Sequence, residues 1–279
     1  MIALCPNPYR DVDLEKTGKC RNIFAGLGIE TCVCPVFTDA DWTPPEGFRV
    51  MRLREVLDDL THIVVLGGDG TILSVVRELN GAEIPILGVN LGTKGFMTSL
   101  EPEELPLITK MLNEDVPVSS RMMLDVALLR DEEVILRDCA LNDAVIHGYG
   151  ECIQPTAWAD GKIMFSFSGD GMIAATPTGS TGYSMSAGGP IVEPDARAII
   201  LTPICAHTLS AKPCVLSPGK TVRILTEKLT GRRAYLAVDG YQVADLESGD
   251  LLEIRCSERS VRMIDLSEKS FFERLDKLA

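Results

Sequence analysis

Residues 62–79, HIVVLGGDGTILSVVREL, place one carboxylate, Asp69, among three glycines, Gly67, Gly68 and Gly70. An apolar run ends there and helical spacing begins at Thr71. Glycines at such a point cost backbone entropy on folding, and a carboxylate there needs solvent or hydrogen-bond donors. Strand, glycine turn and helix start form the place where an open α/β sheet holds ligands. The backbone can be approached closely, and the first-turn N–H groups are available to an anion. The plainer reading of the same residues is a tight turn with Asp69 capping the helix. No G-x-G-x-x-G is present and no Gly-Lys-Ser/Thr follows, which argues against both hydride transfer on a dinucleotide fold and a P-loop.

Three further segments carry polar residues in apolar surroundings. In SFSGDGMIAATPTGSTGYSMSAGGPIVEP, residues 166–194, Asp170 and Gly171 precede an apolar run. Thr176, Thr178, Ser180, Thr181, Tyr183, Ser184 and Ser186 then interleave with Gly179 and Gly182. That density suits a loop and helix start bonding a polar ligand through backbone and side chains. A Ser/Thr-rich surface turn is the alternative, and the segment's length and apolar flanks argue against it. Asn142-Asp143 interrupts an apolar stretch. In a regular strand the two would face opposite sides and serve one ligand only if the chain bends, so alone they read as a strand-end pair. In GVNLGTKGFMTSL, residues 88–100, Phe96 follows Gly92 and Gly95, placed either to stack on a base or to join the core.

The elements that must position these residues change character along the chain. Strand signals at 2–5, in TCVCPV, at 62–66 and at 84–90 alternate with helical spacing at 11–27, 71–80 and 102–114. Such alternation predicts a parallel, Rossmann-like sheet with helices on its faces, over 1–117. From about residue 118 to 256, MMLDVALLR, EVILRDCALNDAVIHG, KIMFSFSG, TVRILTE, RAYLAVDG and LLEIRC read as strands. Turn pairs such as Asp131-Glu132, Asp160-Gly161 and Ser248-Gly249 separate them, which predicts an all-β, sandwich-like domain over 118–256. The tail, 257–279, joins the first domain, with an amphipathic helix from Glu268 to Leu278 presenting Phe271, Phe272 and Leu275.

Composition narrows the classes. The 279 residues carry a net charge of −13, a surface that repels nucleic acid and anionic membranes but not small phosphorylated ligands. Mean hydropathy is +0.14, compatible with a large core or an oligomer interface. No apolar run reaches the roughly 18 residues a membrane helix needs. The apolar part of MIALCPNPYRD is too short for a signal peptide, so a cytoplasmic protein is expected. Nine Cys with no C-x-x-C and three His (His62, His147, His207) offer no zinc spacing, and most of the thiols read as small buried residues in a reducing compartment.

Taken together, in this order and over nearly the whole chain, the four segments resemble the NAD kinase family in its shorter bacterial style. Gly-Gly-Asp-Gly is shared with diacylglycerol and sphingosine kinases and is similar to a phosphofructokinase motif. TPTGSTGYSMSAGGPI is far more specific. The resemblance implies transfer of the γ-phosphate of ATP to the 2′-hydroxyl of the adenosine ribose of NAD, giving NADP. It implies an α/β N-terminal domain, a β-sandwich-like C-terminal domain, a C-terminal helix returning to the first, and an active site between the domains. By motif match, Asp69 is the catalytic base, and Gly67, Gly68, Gly70 and Thr71 approach phosphates. Asp69, Gly70, Phe96, Asn142, Asp143, Asp170, Thr178, Thr181, Gly182, Tyr183 and Ser186 are the implied NAD-binding set, with Asp170 at the nicotinamide carboxamide. Mg²⁺ or another divalent cation is implied, held mainly by ATP rather than by protein ligands. A homodimer or homotetramer is implied, binding NAD and ATP and neither nucleic acid nor membrane.

Three positions depart from the family pattern. Asp143 stands for the usual Glu, Lys94 for an apolar residue, and Tyr241 follows Asp239-Gly240 where Gln is usual. A lipid kinase sharing the glycine-Asp motif is the alternative enzyme, opposed by the 176–189 segment and by the lack of a membrane-binding stretch. A non-catalytic NAD-sensing module is the other alternative, opposed by Asp69.

Overall fold

The computed structural model describes residues 1–92, 95–227 and 229–275. The chain divides into two compact units, 1–120 with 261–279, and 121–260.

In the first unit the apolar runs become parallel strands. β1 (Ile2–Pro6), β2 (Thr31–Val33), β3 (His62–Gly67) and β4 (Ile86–Asn90) lie in the order β2-β1-β3-β4. β1, β3 and β4 are buried along nearly their whole lengths, as strands covered on both faces must be. Met263 pairs in parallel with Ile86 at the far edge. α1 (Glu15–Gly26) follows a 3-10 turn, Val12–Leu14, so the helical spacing at 11–27 resolves into two pieces. Asp11, 2% exposed, causes the break: its carboxylate accepts the N–H groups of Lys16 and Thr17. α2 (Asp69–Leu79) starts at the carboxylate itself, two residues before Thr71, and ends where Asn80 turns left-handed at φ 48°. The helical stretch after residue 101 is a 3-10 helix, Pro102–Leu112, with Pro106 inside it unable to donate an α-helical bond. The strand expected over TCVCPV stops at Val33, two residues before Pro35.

The second unit is antiparallel throughout. Its strands are β5 (Val118–Arg130), β6 (Glu133–Ala140), β7 (Asp143–Gly148), β8 (Pro155–Ala159), β9 (Lys162–Ser166) and β10 (Gly171–Ala175). They continue with β11 (Ile199–Ile204), β12 (Cys214–Leu216), β13 (Val222–Thr226), β14 (Ala234–Val238), β15 (Tyr241–Leu246) and β16 (Leu251–Ile264). β5 begins three residues before this unit, and β16 runs on into the first.

One sheet runs β12-β11-β10-β7-β14-β15; the other runs β16-β13-β8-β9, with β5 and β6 added beside β16. Leu124, Ala144, Ile146, Met172, Leu201, Ile224, Leu236 and Ile254, from both sheets, share one core, which makes the unit a sandwich. Asp131-Glu132, Asp160-Gly161 and Asp239-Gly240 are two-residue turns with both φ values positive, the hairpin geometry their sequences suggest. EVILRDCALNDAVIHG is not one strand: it breaks at Leu141-Asn142, between β6 and β7.

α4 (Phe271–Leu275) belongs to the first unit and is tied back by Arg274 to Asp265 at 3.1 Å. Phe272 is 66% exposed, so this tie, not burial of its ring, fixes the short helix. The rest of the expected tail helix, to Leu278, lies outside the described residues. Cys5, Cys20, Cys32 and Cys34 are buried, whereas Cys205 is exposed and the other four thiols are partly so. Among the described residues no helix is long and apolar enough to cross a membrane.

Candidate active site

The first unit answers why a carboxylate sits in the glycine turn. Asp69 opens α2, with Gly68 extended before it. Its two oxygens each accept one backbone N–H from the loop after β4: Phe96 donates to Oδ2 at 3.1 Å and Met97 to Oδ1 at 3.0 Å. Burial pushes the Asp69 carboxyl above the usual range, and these two donors draw it back. A carboxylate has about four lone-pair sites, so two remain to accept a proton.

The glycines have different reasons. A Cβ on Gly67 would lie 2.2 Å from Thr71 Oγ1, which accepts the Gly68 N–H at 3.3 Å. At Gly68 and Gly70 a Cβ would meet nothing within 4 Å, so those two leave open space beside the helix start. Thr71 is buried and holds the turn; Gly70 is exposed. Phe96 is half-buried.

Asn90, which the sequence reading did not single out, anchors the same loop. Its Oδ1 accepts the Gly92 N–H at 3.0 Å and its Nδ2 donates to Glu101 at 3.1 Å. Thr93 and Lys94 lie outside the described residues.

In the second unit Asn142, Asp143 and the segment after Ala175 lie at one end of the β7–β10 pair, and Asp170 lies at the other, beside Gly148. Asp143 pairs with Ala175 at the head of β7 and is 6% exposed. A bend at Leu141-Asn142 precedes it. The carbonyls of the bend are held by Thr176, whose Oγ1 donates to Leu141 O at 2.6 Å and whose N–H donates to Asn142 O at 2.9 Å. Gly179 is packed so tightly on it that a Cβ would lie 2.1 Å from Asn142 O. The Asn142 side chain reaches Gly182, whose Cβ position is 3.7 Å from Asn142 Nδ2.

The hydroxyls of 176–186 mostly face inward rather than toward a ligand. Ser180 Oγ bridges the N–H and C=O of Val192 at 3.0 Å each, and Ser184 Oγ bonds Thr202 Oγ1 at 2.8 Å. Thr181 Oγ1 donates to Thr178 O at 3.3 Å. Ser186 is exposed at the end of α3 (Tyr183–Ser186), its N–H donating to Gly182 O at 3.4 Å. In this segment and the bend it packs on, two buried polar atoms have no hydrogen-bond partner among the described residues, Thr178 Oγ1 and Asn142 Oδ1.

Tyr183, 41% exposed, stacks near His147 with ring centroids 6.5 Å apart, and His147 stacks on Tyr235 at 5.8 Å. The Tyr183 hydroxyl is pushed up first by burial, then by Tyr235, Cys205, Asp170 and Asp143, so these groups converge on one region. Asp170 lies 3.9 Å from Cys152 Sγ, which in turn is 3.8 Å from His207 Nε2.

The charge balance of the cluster centres on two carboxylates. Asp143 is raised to about 7, first by burial and then by Asp239. Asp239 is raised by burial and drawn back by the N–H groups of Leu141, Asn142 and Asp143. With three donors on its carboxylate, Asp239 is the member of the pair that holds the negative charge. Among the described residues no group of three or more His, Cys, Asp or Glu is placed to hold a metal ion.

Family models match both halves of the chain. One described as the ATP-NAD kinase N-terminal domain matches residues 47–116, and one described as the ATP-NAD kinase C-terminal domain matches 141–266. An NAD kinase of Trichlorobacter lovleyi is 40% identical over 260 residues, covering 91% of each chain. One of Lachnospira eligens is 35% identical over 284 residues, covering 96% of each. Among solved structures, yeast NADH kinase complexed with NADH superposes with a TM-score of 0.85 at 25% identity, over 99% of this chain and 85% of that one. An NAD kinase from Archaeoglobus fulgidus in complex with ATP superposes with a TM-score of 0.76 at 26% identity, over 100% and 98%.

Proposed function

The chain belongs to the NAD kinase family, and we propose that Asp69 is the base of the phosphoryl transfer and that the Asn142–Asp143 bend with the 170–186 segment holds NAD. The reaction moves the γ-phosphate of ATP to the 2′-hydroxyl of the adenosine ribose of NAD. In phosphoryl transfer a protein chiefly positions reactants and stabilises charge. Asp69, fixed by the Phe96 and Met97 N–H groups, accepts the hydroxyl proton through its remaining lone pairs as that oxygen attacks. Gly67, Gly68, Gly70 and Thr71 shape the turn against which the donor phosphates lie. A divalent cation, carried on those phosphates, supplies neutralisation of their charge.

The observation that carries the NAD assignment is the pair of buried atoms without a partner among the described residues, Asn142 Oδ1 and Thr178 Oγ1. A buried polar group without a partner costs about 1–3 kcal/mol, and a ligand's hydroxyl or amine recovers it. Asp143 and Thr181 complete the adenosine end, and Asp170, Gly182, Tyr183 and Ser186 line the rest of the dinucleotide. The test is a coupled assay in which purified protein, Mg-ATP and NAD yield NADP, detected by an NADP-specific dehydrogenase. NADP formation that stops on chelation of the cation supports the reading, and NADP formation unaffected by chelation refutes the cation's part.

The assembly is a homodimer or homotetramer in the cytoplasm, the compartment suited to nine unpaired thiols. A monomer by light scattering at micromolar concentration would contradict the assembly.

A further inference from the structure

We propose that Asp239 is a positioning residue for NAD: its carboxylate fixes the backbone bend that presents Asn142 and Asp143. The inference rests on the assignment of that bend to NAD.

Asp239 is the first residue of the two-residue turn between β14 and β15, with φ 48°, followed by Gly240 at φ 81°. Asp is one of the few residue types that adopts this left-handed conformation readily. The turn sends its side chain back toward β7, about a hundred residues away in sequence. There one oxygen accepts the Leu141 N–H at 2.8 Å, and the other accepts the N–H groups of Asn142 at 2.7 Å and Asp143 at 3.1 Å. The Asp239 N–H in turn donates to Asp143 O at 2.9 Å.

Three consecutive N–H groups converging on one anion form a nest, here filled by the protein's own side chain. β6 ends at Ala140 and β7 begins at Asp143, so the carboxylate stands in for ladder partners at the break. Thr176 holds the carbonyl side of the same bend. Held from both sides, Asn142 keeps its Oδ1 buried and without a partner among the described residues. Asp239 is 9% exposed and occupied by three donors, so it acts through the bend rather than on the ligand.

A second consequence follows from its charge. Asp239 is the charged neighbour that adds to burial in holding Asp143 protonated toward neutral pH. Removing that charge lowers the pH at which Asp143 ionises, an effect that a purely structural residue would not have.

The experiment is steady-state kinetics on the full chain with Mg-ATP and NAD, over pH 5 to 9, for the parent, Asp239→Asn, Asp239→Glu and Asp250→Asn. Asp250 is the control. It is 1% exposed and held by the Glu247 N–H and the Arg130 guanidinium, well apart in sequence from the bend. Asp239→Asn is expected to raise KM for NAD at least tenfold, to leave KM for ATP within twofold, and to move the inflection of kcat/KM for NAD near pH 7 downward. Asp239→Glu, which keeps the charge but moves it, is expected to raise KM for NAD and leave the inflection in place. Asp250→Asn is expected to lower Tm alone.

A parent-like KM and inflection in Asp239→Asn would overturn the inference. So would losses in Asp239→Asn and Asp250→Asn that follow only the folded fraction. If Asp239→Asn does not fold, a parent-like KM in Asp239→Glu would overturn it. Asn142→Ala in the same series separates the two claims: an unchanged KM for NAD there refutes the assignment of the bend, and the inference with it.

Discussion

Gly179→Ala is the sharpest perturbation this site offers, because its consequence is set by distances. Gly179 has no left-handed φ, so only space opposes a side chain. The added Cβ would sit 2.1 Å from Asn142 O, 2.6 Å from its carbonyl carbon and 2.8 Å from its Cα. All three are backbone atoms, so no rotamer relieves the contact. Reaching a tolerable separation of just over 3 Å requires the two segments to part by about 1 Å. Asn142 O accepts the Thr176 N–H at 2.9 Å, and that bond is the first to open. Overpacking costs about 1–3 kcal/mol and the orphaned pair a similar amount, giving a loss near 2–6 kcal/mol of stability.

A displacement of about 1 Å in a substrate-positioning residue costs on the order of 10²-fold in kcat/KM. The assay is NADP formation at saturating Mg-ATP with NAD varied, alongside urea denaturation. Gly219→Ala, where a Cβ meets nothing within 4 Å, is the matched control and should behave as the parent in both. A Gly179→Ala protein with parent-like kcat/KM for NAD and parent-like stability would refute the packing argument.

Two further outcomes follow from the same cluster. Thr178→Val removes a buried hydroxyl without a partner among the described residues, so the ligand-free protein should hold its Tm or gain up to about 1 kcal/mol, while NAD affinity by calorimetry falls about two- to tenfold; a lower Tm with unchanged affinity would contradict this. Asp143 is raised to about 7 in the native state from an ordinary value of 3.8. The native state therefore binds an extra proton between those values, and stability falls as pH rises through that window, by roughly 4 kcal/mol at most. Asp143→Asn should remove this fall, making the variant more stable than the parent at pH 8 but not at pH 4 by urea titration; an equal difference at both would show that Asp143 titrates normally.

Much of this was legible locally. Apolar runs, the Gly-Gly-Asp-Gly turn and the Asp-Gly pairs are short-range signals, and each lies where the structure has a strand, a helix start or a left-handed turn. What the sequence hid is long-range. Asp69 is held by N–H groups 27 and 28 residues away, which no local pattern announces. Alternation left open whether the strand bends at Asn142-Asp143, and it does break there. The break comes from a carboxylate 96–98 residues later. The hydroxyl-rich segment was readable as a site, but not which hydroxyls face inward. Ser180 and Ser184 serve the fold, and Thr178 alone among the segment's hydroxyls leaves a buried oxygen unpartnered in the described residues. Asp239 stood out in the sequence as part of a family Asp-Gly pattern, but its three bonds to the bend 96–98 residues earlier did not.

The central claim is that Asp69 takes the proton from the 2′-hydroxyl. Asp69→Asn keeps the size of the side chain and removes its basicity. The decisive measurement is single-turnover NADP formation by this variant and the parent, with NAD binding measured on the same samples. A rate lower by about 10²–10⁴, with NAD still bound, is the predicted result. NADP formed at the parent's rate would contradict it, and the carboxylate would then be no more than the anchor of the Phe96–Met97 loop.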